Sequence, residues 1–191
     1  MKQAEEFCPN SKEAWREWLE LNHDKKDAVW VIFYKKNSPD FNLSWSESVD
    51  EALCFGWIDS TRKRIDKERF KQYFSKRRPT SNWSKVNKEK VGKLIDQNLM
   101  KEAGYVSIKI AKGNGSWTFL DIVENLELPK DLEEGLRSQT GAMQYIEELT
   151  NSSKKSLIYW VISAKKDTTR SKRISEIVEN ASRQLKPKKF R

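Results

Sequence analysis

Between Asp50 and Asp66 the chain reads DEALCFGWIDSTRKRID. Two adjacent carboxylates, Asp50 and Glu51, are followed by the thiol of Cys54 and the indole of Trp57. A third carboxylate, Asp59, and the guanidinium of Arg62 come next. A second stretch, SKRRPTSNWSKVNKEKV, offers Arg77, Arg78, Ser81, Trp83 and Asn87. These types suit a site for a small polar or anionic ligand. Arg forms bidentate bonds to carboxylate or phosphate, and Trp gives contact area at low entropy cost. Carboxylates can accept hydrogen bonds or act as general acid and base. Plainer roles stay open for each residue. Asp59 and Arg62 can be an ordinary ion pair, and Trp57 and Trp83 can be core. Glu47, Asp50 and Glu51 can bind a hard cation through oxygen or form a solvated helix face. Cys54 reads best as a small buried hydrophobe. It lies near a helix C-terminus beside two acids, and both raise a thiol pKa.

The elements that must place these groups can be read from spacing. SKEAWREWLELN predicts a helix capped by Ser11, with Trp15, Trp18 and Leu19 on one side. AVWVIFYKK predicts a strand with apolar residues on both faces, hence a sheet centre covered on both sides. SWSESVDEALCF predicts a short helix with a Ser44/Glu47 capping box. Val49, Ala52 and Leu53 form its apolar face, and Glu47, Asp50, Glu51 and Cys54 the opposite one. Gly56 permits the exit from that helix. WIDSTRKRI and RFKQYFSKR predict a hairpin around DKE, with Trp57, Asp59 and Thr61 on one face and Phe70 and Phe74 sharing a face. The next helix should bury Val86, Val91, Leu94 and Ile95. From Pro129 four helices follow. The last should be capped by Thr168 or Thr169 and bury Ile174, Ile177, Val178, Ala181 and Leu185. KPKKFR reads as a frayed basic tail.

The expected class is therefore α+β. An N-terminal antiparallel sheet flanked by helices occupies 1–118, a connector 119–128, and a small all-helical C-terminal module with the basic tail 129–191.

Composition narrows the function classes. With 37% apolar residues and eight Trp, the 191-residue chain can build a core. No apolar run is long enough for a membrane span, and no signal peptide is visible, so a cytoplasmic location is expected. Two cysteines make no disulfide framework, and a single His23 argues against a His-rich metal site or a His-based triad. No P-loop or dinucleotide fingerprint is present, so no cofactor, no metal and no catalytic residue is assigned. The net charge of +9 is unevenly spread. Residues 152–191 hold 12 basic and 3 acidic side chains, and residues 62–93 hold 13 and 3, on an otherwise acidic background. Two basic blocks admit an anionic partner, nucleic acid included, through phosphate contacts and aromatic stacking in RFKQYFSKRR. Arg170, Lys172 and Arg173 crowd the start of a helix, where the dipole disfavours cations. They should meet either an acidic surface of the same chain or an anionic partner.

The motifs DEALCFGWIDSTRKRID, SKRRPTSNWSKVNKEKV, GSWTFLDIVENLELPKDL and AKKDTTRSKRI resemble the YdeI/OmpD-associated family, also labelled bacteriocin protection. The resemblance runs from about Trp15 to about Leu185. At its C-terminal end Pro129, Asp131, Ala164, Lys165, Thr169, Arg170, Arg173 and Ile174 fit the pattern. It implies a part in tolerance to antimicrobial peptides or bacteriocins. It also implies kinship with frataxin-like and YjbR-like α+β folds, some of them proposed to bind DNA. Some members are described as periplasmic, whereas this chain shows no export signal. The resemblance assigns no catalytic residues.

Overall fold

The structure is a computed structural model that describes residues 4–190. It divides into two compact units between Trp117 and Thr118.

The first unit is α+β. Its elements are β1 (Glu6–Phe7), α1 (Lys12–Asn22), β2 (Ala28–Tyr34), α2 (Trp45–Cys54), β3 (Trp57–Arg64), β4 (Arg69–Lys76), α3 (Lys85–Asp96) and α4 (Glu102–Asn114). The sheet order is β1-β2-β4-β3. β2, β4 and β3 run antiparallel, while the two-residue β1 joins the edge in parallel. Ser11, Ser44 and Ser84 each accept a backbone N–H three residues on, and Glu47 completes the capping box at Ser44.

One face of the sheet carries the core. Val29, Val31 and Phe33 of β2 and Phe70 and Phe74 of β4 are buried there. Trp15 and Trp18 of α1 pack onto this layer, with ring centroids 5.3 Å from Phe74 and 5.8 Å from Trp57. Burying such side chains is worth ~1.5–3 kcal/mol each and drives the α1–sheet contact. The Trp15 indole also donates to the Ser48 carbonyl at 3.0 Å, which ties α1 to α2. The expectation that β2 is covered on both sides is corrected. Its other residues, Ala28, Trp30, Ile32 and Tyr34, are only half-buried. Alternation decides here, because α1 and α2 supply apolar cover to one face of the strand.

The β3–β4 hairpin is bulged. Asp59 pairs with Phe74, and Arg62 pairs with Gln72, so β3 uses one residue more than β4 over this span. The extra residue moves Thr61 off the Trp57–Asp59 face and brings Arg62 onto it. Simple alternation had placed Thr61 there. Gly56 adopts φ +71 at the α2–β3 turn, as its exit role requires.

In α3, Val91 and Leu94 are buried, whereas Val86 is 59% exposed and Ile95 38% exposed. The expected four-residue stripe is therefore narrower, with Val91 and Leu94 alone of the four in the core.

The second unit is helical: α5 (Asp121–Glu124), α6 (Lys130–Arg137), α7 (Ala142–Glu148), α8 (Asn151–Ile162) and α9 (Asp167–Ala181), ending in a 3-10 turn at Lys188–Phe190. Leu132, Leu136, Ile146, Leu157, Val161 and Ile177 build its core. Helix α9 starts earlier than expected. Lys166 stands at its N-cap without a side-chain bond, and Thr168 and Thr169 lie inside the first turn. Asp167 supplies the negative charge that the N-terminus favours. Leu185 lies past the helix and is 44% exposed. The basic tail is docked through Phe190 rather than frayed, and its last residue, Arg191, lies outside the described residues. The Phe190 ring meets the Trp160 ring edge-on at 5.4 Å, which gives the tail an apolar anchor.

Candidate functional site

The adjacent carboxylates of α2 go to different partners. Glu51 is buried and accepts from Arg16 Nη1 at 2.6 Å, with Lys12 Nζ 3.3 Å from its other oxygen. Arg16 also donates to the Leu99 carbonyl at 2.9 Å. Asp50 pairs with Lys90 Nζ at 2.5 Å, and that lysine also reaches Ser46 Oγ at 2.8 Å. These contacts join α2 to α1 and to α3. Cys54 is fully buried, and burial with Glu51 beside it pushes its thiol up to about 11. Of the helix face read as polar, Glu51 and Cys54 are interior and Asp50 is half-buried, with cations from neighbouring helices on both carboxylates, while Glu47 stays exposed in the Ser44 capping box. Trp57 and Trp83 are each 1% exposed, and both rings lie in the core.

At the bulge, Asp59 becomes a receptor for two donors. Trp45 Nε1 and Gln72 Nε2 both donate to its Oδ2 at 2.9 Å, and Gln72 also donates to the Ser60 carbonyl at 3.1 Å. Trp45 is 49% exposed, while Gln72 is buried. Arg62 lies flat on the Phe70 ring, 3.7 Å from its centroid, and Phe70 in turn stacks on Phe33. Asp59 and Arg62 therefore share a face without forming a direct ion pair.

Arg77 stands at the end of β4, with its backbone N–H bonded to the Gly56 carbonyl. Its guanidinium stacks on Trp83, 3.8 Å from the ring centroid, and Nη2 donates to the Asn82 carbonyl at 2.7 Å. Nε and Nη1 are buried and have no hydrogen-bond partner. Burial pulls this group down to about 10, while the charge of Asp59 acts the other way. It remains a cation at neutral pH. The loop that follows is polar. Arg78, Pro79 and Thr80 are exposed. The Pro79 carbonyl accepts from Asn114 Nδ2 and Ser116 Oγ, and the Trp83 N–H donates to the Ser116 carbonyl. Ser81 turns back to the Arg78 carbonyl, and the Asn87 N–H is taken by the Ser84 cap. Trp117 packs beside Trp83 with centroids 4.9 Å apart.

Of the sequence candidates, the structure joins Arg77 to Trp83 and sets Asp59 within electrostatic reach of Arg77. Asp50 and Glu51 are held elsewhere. Reading the sequence missed Trp45, Gln72, Arg16 and Lys90. Gln72 did carry a signal, since it breaks the apolar row Phe70–Phe74.

In the second unit Arg170 makes a two-pronged bond to Asp131, at 2.7 and 2.8 Å. Arg173 donates to the Trp160 carbonyl at 2.5 Å and lies over its ring. Lys172 is exposed. Among the described residues no cluster of three or more His, Cys, Asp or Glu side chains could hold a metal ion. Among the described residues no helix is long and apolar enough to cross a membrane.

Comparison with known families agrees with the two-unit division. The model described as Domain of unknown function (DUF8412) matches residues 7–107, more than half of the chain. The chain belongs to the DUF8412 family. Its DUF8412 region contains α1 to α3 and the first part of α4, and with them Asp59, Arg77 and Trp83. Residues 125–184 match a different model, described as Bacteriocin-protection, YdeI or OmpD-Associated. The YdeI/OmpD-associated resemblance is therefore shown for the helical C-terminal part. The motifs DEALCFGWIDSTRKRID and SKRRPTSNWSKVNKEKV fall within the DUF8412 match instead. No curated protein and no solved structure matches the chain.

Proposed function

We propose that the protein acts by binding, and that the binding event is capture of a small anion by Arg77 against Trp83. The observation that carries this reading is the pair of buried, unpartnered N–H groups, Nε and Nη1, on one guanidinium. A buried donor without a partner costs ~1–3 kcal/mol, and more when charged. Such a group calls for a ligand, an ion or a water. Nε and one Nη are a pair that a carboxylate or phosphate can bridge with two parallel bonds. The Trp83 ring holds the guanidinium plane, so little order has to be created on binding. The polar loop 78–82 closes the corner. It is tied by hydrogen bonds from Arg77, Asn114 and Ser116, and an anion that reaches Nε and Nη1 has to displace some of these. Asp59 moderates the positive charge from a distance, with its Oδ2 taken by Trp45 and Gln72.

At the level of physiology, the C-terminal match supports a bacteriocin-tolerance role, which we place in the cytoplasm. The anion site would be the sensing or sequestering element of that role.

The test is a thermal-shift titration with inorganic phosphate, and separately with sulfate and acetate, on the parent, Arg77→Lys and Arg78→Ala. A ligand at 100 times its dissociation constant stabilises by ~2.7 kcal/mol. Saturable stabilisation by one of these anions, lost in Arg77→Lys and kept in Arg78→Ala, supports the proposal. Equal responses in the parent and in a folded Arg77→Lys variant would sink it, as would no response to any of the three.

A further inference from the structure

We propose that the face of the sheet opposite the helices binds single-stranded nucleic acid. This surface is separate from the Arg77 corner, and the inference does not rest on anion capture there.

The face is defined by strand register. Trp30 of β2 sits directly across from Tyr73 of β4, and their rings meet edge-on at 5.0 Å. Ile32 pairs with Lys71, and Tyr34 with Arg69. Lys63 of β3 stands opposite Lys71. Each of these β2 and β4 side chains is only half-buried, and Lys63 is exposed. An uncovered sheet thus presents one indole and two phenols on its central strands, interleaved with three cations. Every base has a π-face and every nucleotide a phosphate, so rings interleaved with Lys and Arg form the surface that single strands need.

The cations are placed for this exchange. The ammonium groups of Lys63 and Lys71 each lie 5.1 Å from the Trp30 ring centroid, and Arg69 lies over Tyr34. Cation–π contacts at exposed sites are weaker than base stacking, so a base can replace the ammoniums while phosphates take them up. Charge also polarises the sheet. Glu5 and Glu6 lie at the β1 end, and Glu6 pairs with Lys71. Arg62, Lys63 and Arg64 line the β3 edge. A polyanion therefore runs along the β4–β3 side. Duplex DNA fits poorly, because its bases are stacked on each other and cannot reach Trp30 or Tyr73.

The experiment follows the tryptophan indole N–H signals of the full chain by nitrogen-15 NMR during titration with a ten-nucleotide deoxythymidine oligomer. A duplex of the same length and heparin serve as comparisons. Affinities come from fluorescence. The expected result is a shift of the Trp30 indole with the oligomer, and weakening by about 5- to 150-fold in Trp30→Leu, as loss of one stacked base implies. Trp30→Phe, which keeps a ring at the site, should retain most of the affinity. Lys63 is open to a phosphate, whereas Lys71 and Arg69 must first leave Glu6 and Asp66, so log affinity should fall against log salt with a slope between about −0.7 and −2. Equal binding of duplex or heparin, with Trp30→Leu unchanged and folded, would mean that charge alone is being read and would overturn the proposal. An unmoved Trp30 signal would overturn it as well. Phosphate stabilisation that depends on Arg77 tests the other site and is unaffected by either result.

Discussion

Replacing Arg16 by Met removes the guanidinium that holds Glu51. The Glu51 side chain is 2% exposed and that of Arg16 is 22% exposed, so the pair lies largely out of water. Removing one partner of a buried pair costs ~3–5 kcal/mol, because the other charge is left uncompensated. Two features lower the figure here. Arg16 is not fully sealed, and Lys12 stays 3.3 Å from the other Glu51 oxygen. Lys12 is itself 42% exposed, and an exposed pair contributes only ~0–1 kcal/mol, so it cannot replace Arg16. The expected loss for Arg16→Met is therefore ~2–4 kcal/mol. Glu51→Met alone should lose less, ~1–2 kcal/mol, because Arg16 keeps the Leu99 carbonyl and some water. The double variant should return to within ~1 kcal/mol of the parent, since apolar replacement of both charges is often neutral or better. Urea unfolding followed by tryptophan fluorescence reads this unit directly, because every Trp except Trp160 lies before Thr118. A loss under ~1 kcal/mol for Arg16→Met would refute the reasoning, since it would price Glu51 as an exposed carboxylate. A double variant whose losses simply add would refute it too.

Gly104→Ala should destabilise the first unit by ~1–3 kcal/mol, because a Cβ there would lie 2.4 Å from the Cys54 carbonyl oxygen and force α4 away from α2. Gly92→Ala in α3, where a Cβ meets nothing within 4 Å, should instead stabilise by ~0.5–1 kcal/mol in the same urea assay. In the second unit the hydrogen bond from Arg170 holds the Asp131 carboxyl below its ordinary 3.8. A lowered acid contributes stability that is present above the unfolded value and is lost as pH falls below it. Asp131 is 47% exposed, so Asp131→Asn should lower stability at neutral pH by no more than ~1 kcal/mol. The difference from the parent should close as pH drops below 3.8, as read by circular dichroism in urea.

What could be read from the sequence was local. Capping residues and helical spacing placed α1, α2, α3 and the four long helices of the second unit, because a serine cap and a 3.6-residue stripe act within one turn. Strand alternation found the hairpin and the shared face of Phe70 and Phe74. Long-range facts were out of reach. Cys54 read as a small buried hydrophobe and is one, but Glu51 on the same face looked solvated on a helical wheel. Only the approach of α1, carrying Arg16 and Lys12, makes their face an interior one. The two-residue β1 has no pattern to detect, and its parallel pairing depends on β2. Trp45 and Trp83 both stand just before or within a Trp-Ser dipeptide at a helix entry, yet one is 49% exposed and the other 1%. Their place relative to the cap separates them, Trp45 following Ser44 and Trp83 preceding Ser84, and what covers Trp83 is Arg77 from the end of β4 and Trp117 from beyond α4.

The bulge shows how much of a site can turn on one residue. Without it, Arg62 would point to the face of the sheet that carries Trp30 and Tyr73, and Thr61 would stand beside Asp59. With it, Arg62 covers Phe70, and the open face keeps Lys63 as its cation on β3. The basic block of residues 62–93 does not act as a unit. Arg77 is buried against Trp83, Lys90 is held by Asp50, and Arg69 is held by Asp66. Arg62, Lys63, Arg64, Lys67, Arg78, Lys85 and Lys93 stay exposed. In the C-terminal block, by contrast, Arg170 and Arg173 are bonded within their own unit. A high count of basic residues therefore has two meanings in this chain. In both units some cations stitch elements together, Arg170 and Arg173 in the helical one and Lys90 in the first, while others face outward, Lys165, Lys166, Lys172 and Arg183 in the helical unit and Lys63 and Arg64 in the first.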